Sequence, residues 1–186
     1  LSLKSTNQHP IKSTNFFSLH SGCNRYIHGP VCQWGGIGIQ VGAEFAMECT
    51  QEFSLPVFAF ISKLDKENTD FEKTCLAIEE GFGKKAVPLA LPIGAQSALS
   101  GTIDLLRMKA ITEKDGKATV ADLSGDQKTM AQAAREQLVE AAAEGEDALM
   151  EKFFEAGALS DDEVNRGLKA AFLAGRFIPV FCGSAT

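Results

Sequence analysis

The chain has 186 residues, 45% of them hydrophobic, enough for a sizeable core in one or two small domains. Its formal charge of -6 at pH 7 argues against broad electrostatic attraction to nucleic acid and against direct, sequence-specific nucleic-acid binding. No apolar stretch approaches membrane-spanning length and no charged-then-apolar leader opens the chain, so a cytoplasmic protein without membrane attachment is expected.

Residues 1–34 are rich in Ser, Asn and His and show neither helical nor strand periodicity, so an irregular or disordered N-terminal segment is expected. His20, Cys23, His28 and Cys32 approach a zinc-knuckle spacing, with Tyr26 and Trp34 as stacking candidates, but their gaps match no standard knuckle. The tract Gly35-Gly36-Ile37-Gly38 reads as a turn. Phe45, Cys49 and Phe53 then recur at i, i+4 and i+8 between Gly42 and Pro56, which predicts a helix feeding the apolar strand at 57–61.

After that strand come Ser62-Lys63-Leu64-Asp65 and a second predicted helix. Asn68 or Thr69 would cap it, Phe71, Cys75, Ile78 and Phe82 form its apolar stripe, and Gly83 would close it. Val87, Leu89, Leu91 and Ile93 alternate as one edge strand, with Pro88 and Pro92 on the other parity. Asp115-Gly116 marks a hairpin between segments around 108–112 and 118–121. Three helices follow: one with the stripe Met130, Ala134, Leu138 and Ala141; one with Leu149 and Phe153, ending near Gly157; and one opened by the capping box Ser160–Glu163, with Val164, Leu168 and Phe172 inward and Gly175 as its stop. The apolar run 177–182 is a final strand that opens into Gly183-Ser184-Ala185. Of the five cysteines, Cys49, Cys75 and Cys182 lie in apolar contexts and read as reduced core residues.

The two strands that end in polar loops carry the chemistry. Ligands of open α/β sheets bind beyond the carboxyl ends of the strands, where Lys63, Asp65 and Ser184 are expected to meet. An ionised Asp65 has two acceptor oxygens, which match the ring N–H and exocyclic amine of guanine, a pattern adenine lacks. Lys63 can lay its methylene stem along the base while its ammonium stays in water. The small residues Gly183, Ser184 and Ala185 would let a backbone N–H approach the guanine carbonyl oxygen. Solvated charges ending a strand are the plain alternative for a motif of four residues.

From about Gly36 onward the chain resembles the GTP-binding domain of bacterial elongation factor G, a translational GTPase. The resemblance rests on Ile39-Gln40-Val41-Gly42-Ala43-Glu44, Leu55-Pro56, the stretch Ser62 to Phe71, Pro92-Ile93-Gly94, Gly101 to Leu105, Met108-Lys109-Ala110 and Gly183-Ser184-Ala185. These residues run in the family's order across roughly four-fifths of the chain. The resemblance implies an α/β fold: a partial P-loop GTPase domain, three-layered with a mostly parallel sheet, holding an inserted α+β subdomain. Residues 35–86 and 177–186 would form the GTPase part and 87–176 the insert. It implies guanine binding by Ser62, Lys63, Asp65, Ser184 and Ala185, with GTP or GDP as ligand and Mg2+ in the intact family member. It also implies a ribosome partner, including the stalk protein through the insert, and hydrolysis coupled to translocation.

Two departures bear on activity. Ser62 stands where the family usually has Asn, which would weaken guanine binding by on the order of 1 kcal/mol for one neutral hydrogen bond. The Gly-rich phosphate loop and the Asp-x-x-Gly magnesium segment, both expected before residue 62, are not in the sequence, so this chain is expected to be a piece of a GTPase without hydrolytic activity of its own. Two alternatives therefore stand beside the GTPase reading: a non-enzymatic ribosome-stalk interaction module with a vestigial nucleotide site, and a zinc-dependent nucleic-acid-binding tail. A sheet lacking its first strands would expose edges and an apolar face, and poor solubility is the expected consequence.

Overall fold

The computed structural model describes residues 31–34, 41–52, 55–114 and 117–184. Two four-stranded sheets organise them. The first is parallel throughout and holds β1 (Val31–Trp34), β2 (Phe58–Ile61), β8 (Phe177–Cys182) and β3 (Lys85–Pro88), side by side in that order. The second is an antiparallel meander of β4 (Ala90–Ile93), β5 (Gly101–Asp104), β6 (Lys109–Lys114) and β7 (Lys117–Asp122). Helix α1 (Val41–Glu52) precedes β2 and α2 (Phe71–Phe82) follows it, while α3 (Gly125–Ala143), α4 (Asp147–Ala156) and α5 (Asp161–Leu173) fill the chain between β7 and β8. This is the expected α/β architecture with an α+β insertion.

Each sheet builds its own core. Met47 of α1 and Ile78 and Phe82 of α2 bury themselves with Val57, Ala59 and Ile61 of the β2 segment and Ile178, Val180 and Cys182 of β8. Ile103, Leu105, Leu138, Val164 and Ala171 form the second core, and Val87 and Phe177 join it from the parallel sheet. Side chains alternate across a strand, so β3 gives Ala86 to one core and Val87 to the other, and β8 gives Ile178 to one and Phe177 to the other. Leu89 links the sheets directly: its N–H donates to Val180 O at 2.8 Å and its carbonyl accepts from Leu105 N at 3.1 Å.

Several expectations change. Val31–Trp34 is a strand paired in parallel with β2, Val31 opposite Phe58 and Trp34 opposite Ile61, so the end of the segment expected to be irregular is ordered by a ladder that its own sequence pattern does not signal. The single edge strand expected from Val87 to Ile93 is two strands. Val87 and Pro88, assigned to the insert, belong to the parallel sheet, and the chain crosses between sheets at Leu89. Both strands are sheet edges, where a Pro without an N–H is tolerated. Asp70, rather than Asn68 or Thr69, caps α2 by accepting from Lys73 N at 3.1 Å. In α1 Met47 and Thr50 are buried and Ala43 packs partly buried against the same core; Phe53 and the side chains of Phe45 and Cys49 lie outside the described residues. Gly83 does close α2, at φ 61, a left-handed backbone that costs glycine no Cβ clash.

Of the stripe expected on α3, Leu138 and Ala141 are buried and Ala134 packs partly buried against the same core, but Met130 is 57% exposed, with Ala131 and Ala142 buried in addition. Small side chains are required there because α5 approaches closely. A Cβ on Gly167 would lie 2.2 Å from Ala142 O and 2.8 Å from Leu149 Cδ1. Arg135 adds a polar tie, donating to the carbonyls of Leu105 and Leu106, the latter at 2.9 Å, and pairing with Asp161. The capping box of α5 is present as expected, with the Glu163 carboxylate accepting from Ser160 N at 2.9 Å and Ser160 Oγ at 2.8 Å, and from Lys152 at 2.6 Å.

Gly167→Ala is therefore expected to lower stability by about 1–3 kcal/mol through helix displacement, read as the unfolding midpoint in urea. Lys152, followed by the Ser160 amide and hydroxyl, holds the Glu163 carboxyl at about 2, below its ordinary 4.5. A depressed folded-state value stabilises the fold above pH 4.5 and loses that contribution as pH falls toward 2. Glu163→Gln should flatten the acid limb of the stability–pH profile in that window and leave its slope above pH 5 unchanged, within about a tenth of the wild-type slope.

Candidate functional site

The backbone ladder between β2 and β8 sets the site. Ala59, Phe60 and Ile61 pair with Val180, Phe181 and Cys182, and the ladder runs one bond further, Gly183 N donating to Ile61 O at 3.0 Å. Both strands therefore end level, and the loops that leave them lie side by side at the carboxyl edge of the sheet. Gly183 is confined there: a Cβ would meet Phe60 Cζ at 3.2 Å.

Across that edge the Ser184 hydroxyl donates to Asp65 Oδ1, joining residues 119 apart in sequence. Lys66 Nζ lies 3.0 Å from the other oxygen, Asp65 Oδ2. The Asp65 side chain is 18% exposed, and its carboxyl is held below the ordinary value of 3.8, first by the Ser184 hydroxyl and then by Lys66. It is an ionised acceptor at neutral pH. Lys63 is exposed beside it and Leu64 is buried at 4%, so the loop presents charge outward while an apolar anchor holds it down.

The loop is strained and braced. Lys63 and Asn68 occupy left-handed backbone at φ 60 and 62, which costs a non-glycine residue about 1–3 kcal/mol where the surroundings enforce it. Three contacts do so. Lys66 N donates to Lys63 O at 3.0 Å, the Thr69 hydroxyl reaches Leu64 O at 3.0 Å and Lys66 O at 2.7 Å, and Gln96 N, from the inserted unit, donates to Leu64 O at 3.0 Å. Thr69, expected as a helix cap, is thus the buried fastener of the loop.

Of the sequence-predicted site residues, Asp65 and Ser184 are brought together, and Lys63 is exposed on the same loop as Asp65. Ser62 is buried at 5% exposed. Ala185 lies outside the described residues, as do His20, Cys23 and His28. The sequence reading missed Lys66, whose charge is visible but whose return to its own neighbour is not, and the brace from Gln96, which depends on how the insert folds back. A cavity of about 790 Å³ between α2, β4 and α3 touches Leu64 and Thr69 from behind, yet none of Lys63, Asp65 and Ser184 lines it. Of the thiols expected in the core, Cys75 and Cys182 are free, and burial pushes each up to about 12, which makes them inert packing groups; the Cys49 side chain lies outside the described residues.

No family model matches the chain. Among solved structures, a protein from Thermus thermophilus is similar, with a TM-score of 0.72 and 24% identity over 81% of this chain. That similarity establishes the α/β fold, and the chain spans 23% of the length of that protein. Among the described residues, no helix is long and apolar enough to cross a membrane.

Thr69→Val keeps the shape of the side chain and removes its donor. It is expected to cost about 1 kcal/mol of stability, read from the urea midpoint, and to broaden the amide resonances of residues 63–69 as the strained turn loosens.

Proposed function

We propose that this chain carries the guanine-recognising half of an elongation-factor-G-type translational GTPase, whose GTP binding and hydrolysis drive translocation on the ribosome. The observation that supports it best is the meeting of Asp65 and Ser184 beyond the ends of two adjacent parallel strands, with Lys63 exposed on the Asp65 loop. In this reading the Ser184 hydroxyl fixes the Asp65 carboxylate, whose oxygens accept the paired N–H donors of guanine, and the Lys63 stem covers one face of the base. Ser62 stands where the family's Asn would contact the base, a loss of about one neutral hydrogen bond, on the order of 1 kcal/mol.

The phosphate side of the reaction is not built from these residues. The sequence before residue 62 has no Gly-Lys-Ser/Thr ending, and among the described residues no group of three His, Cys, Asp or Glu gathers as a metal site. The described residues do not fit Mg2+. A second reading, a non-enzymatic module that meets the ribosomal stalk protein, draws on the exposed Glu136, Glu140 and Asp147 of α3 and α4. Of the other insert acids, Glu146 is partly engaged by Arg166 at 3.2 Å and Glu144 is half-buried.

Asp65→Asn tests the base-reading role. Asn replaces two acceptors with one acceptor and one donor, which mismatches guanine and matches the N–H and adjacent carbonyl of xanthine. In amide NMR titrations the wild-type chain should bind guanosine in preference to adenosine and xanthosine. The variant should lose guanosine affinity by about tenfold, as expected for a hydrogen bond to a charged group, and gain xanthosine. Equal binding of guanosine and adenosine by the wild-type chain would overturn the reading.

A further inference from the structure

Both oxygens of Asp65 already hold a donor, and the two donors differ in how firmly they are placed. Ser184 is half-buried at the end of β8, its backbone fixed by the bond of Gly183 to Ile61. Lys66 is 70% exposed, reaches Asp65 Oδ2 at 3.0 Å and makes no other ion pair among the described residues. Because only 18% of the Asp65 side chain is open, a ligand that needs both oxygens meets the Lys66 ammonium at Oδ2.

We propose that Lys66 is an internal competitor for the Asp65 carboxylate, displaced when a base with two adjacent N–H donors binds. This rests on the guanine reading and adds a residue that sets the strength and selectivity of that site. The exchange replaces one charged donor by one neutral donor at Oδ2, while Ser184 keeps its place on Oδ1. A base with a single donor, such as hypoxanthine, can bond one carboxylate oxygen without evicting Lys66. The competition therefore acts against guanine more than against hypoxanthine, and it weakens with salt because the ion pair is exposed.

The test is amide NMR titration of the full chain with guanosine and inosine, neutral probes that carry no phosphate for a lysine to attract. Lys66→Met keeps the apolar stem of an exposed side chain and removes its charge. Guanosine is expected to bind the variant about threefold more tightly than wild type, the scale of an exposed ion pair, with inosine changed by less than about 1.5-fold. Raising NaCl from 50 to 500 mM, roughly from a 14 Å to a 4 Å Debye length, should tighten guanosine binding to wild type and leave the variant unchanged. Unchanged guanosine affinity in Lys66→Met, an equal gain for inosine, or salt responses that match in the two proteins would each overturn the competitor role. If guanosine binds neither protein, or binds Asp65→Asn as well as wild type, the guanine reading itself fails and the competitor role falls with it.

Discussion

Three register pairs, Ala59 with Val180, Phe60 with Phe181 and Ile61 with Cys182, tie the end of the chain to its first third. Parallel pairing forbids a tight turn, so the chain leaves the sheet after β2, returns to it at β3, and leaves it again before coming back as β8. The entropic cost of so long a closure grows only logarithmically with length, which is why a whole α+β unit can occupy the excursion. The ladder's last bond, from Gly183 to Ile61, then fixes the Asp65 and Ser184 loops against each other. Without that register the Ser184 hydroxyl would not reach Asp65.

The excursion does more than fill space. Val87 and Phe177 extend from the parallel sheet into the second core, and Leu89 hydrogen-bonds to both sheets, so the inserted unit is welded to the strands that position the site. Its first turn, at Gln96, reaches back to the Leu64 carbonyl. The strained Lys63 and Asn68 conformations are held by these contacts together with Thr69. A change in how the insert packs would thus be felt in the loop that carries Asp65.

On the far face of the parallel sheet, Phe58 and Phe181 meet edge to face with centroids 5.9 Å apart, and Phe181 remains 37% exposed. The opposite parity of the same strands, Ala59, Ile61, Val180 and Cys182, is buried at 7% or less. One face is therefore a finished core, and the other is covered by the second core at Val87 and Phe177 and partly open at Phe181.

The sequence alone determined the elements whose signals are local: the strand before Ser62, the stop at Gly83, the capping box at Ser160, and the acceptor chemistry of Asp65. It also placed the two loops at strand ends, because apolar runs followed by small or charged residues mark such junctions. What it could not determine were partnerships between distant backbones. Val31–Trp34 became a strand only because β2 offered it a ladder, Val87–Ile93 split because its two halves joined different sheets, and Met130 is exposed while Ala142 faces Gly167 where α5 approaches α3. Tertiary structure likewise decided that Thr69 fastens the loop and that Lys66 occupies Asp65, since both depend on where a turn folds back and neither follows from residue type or spacing.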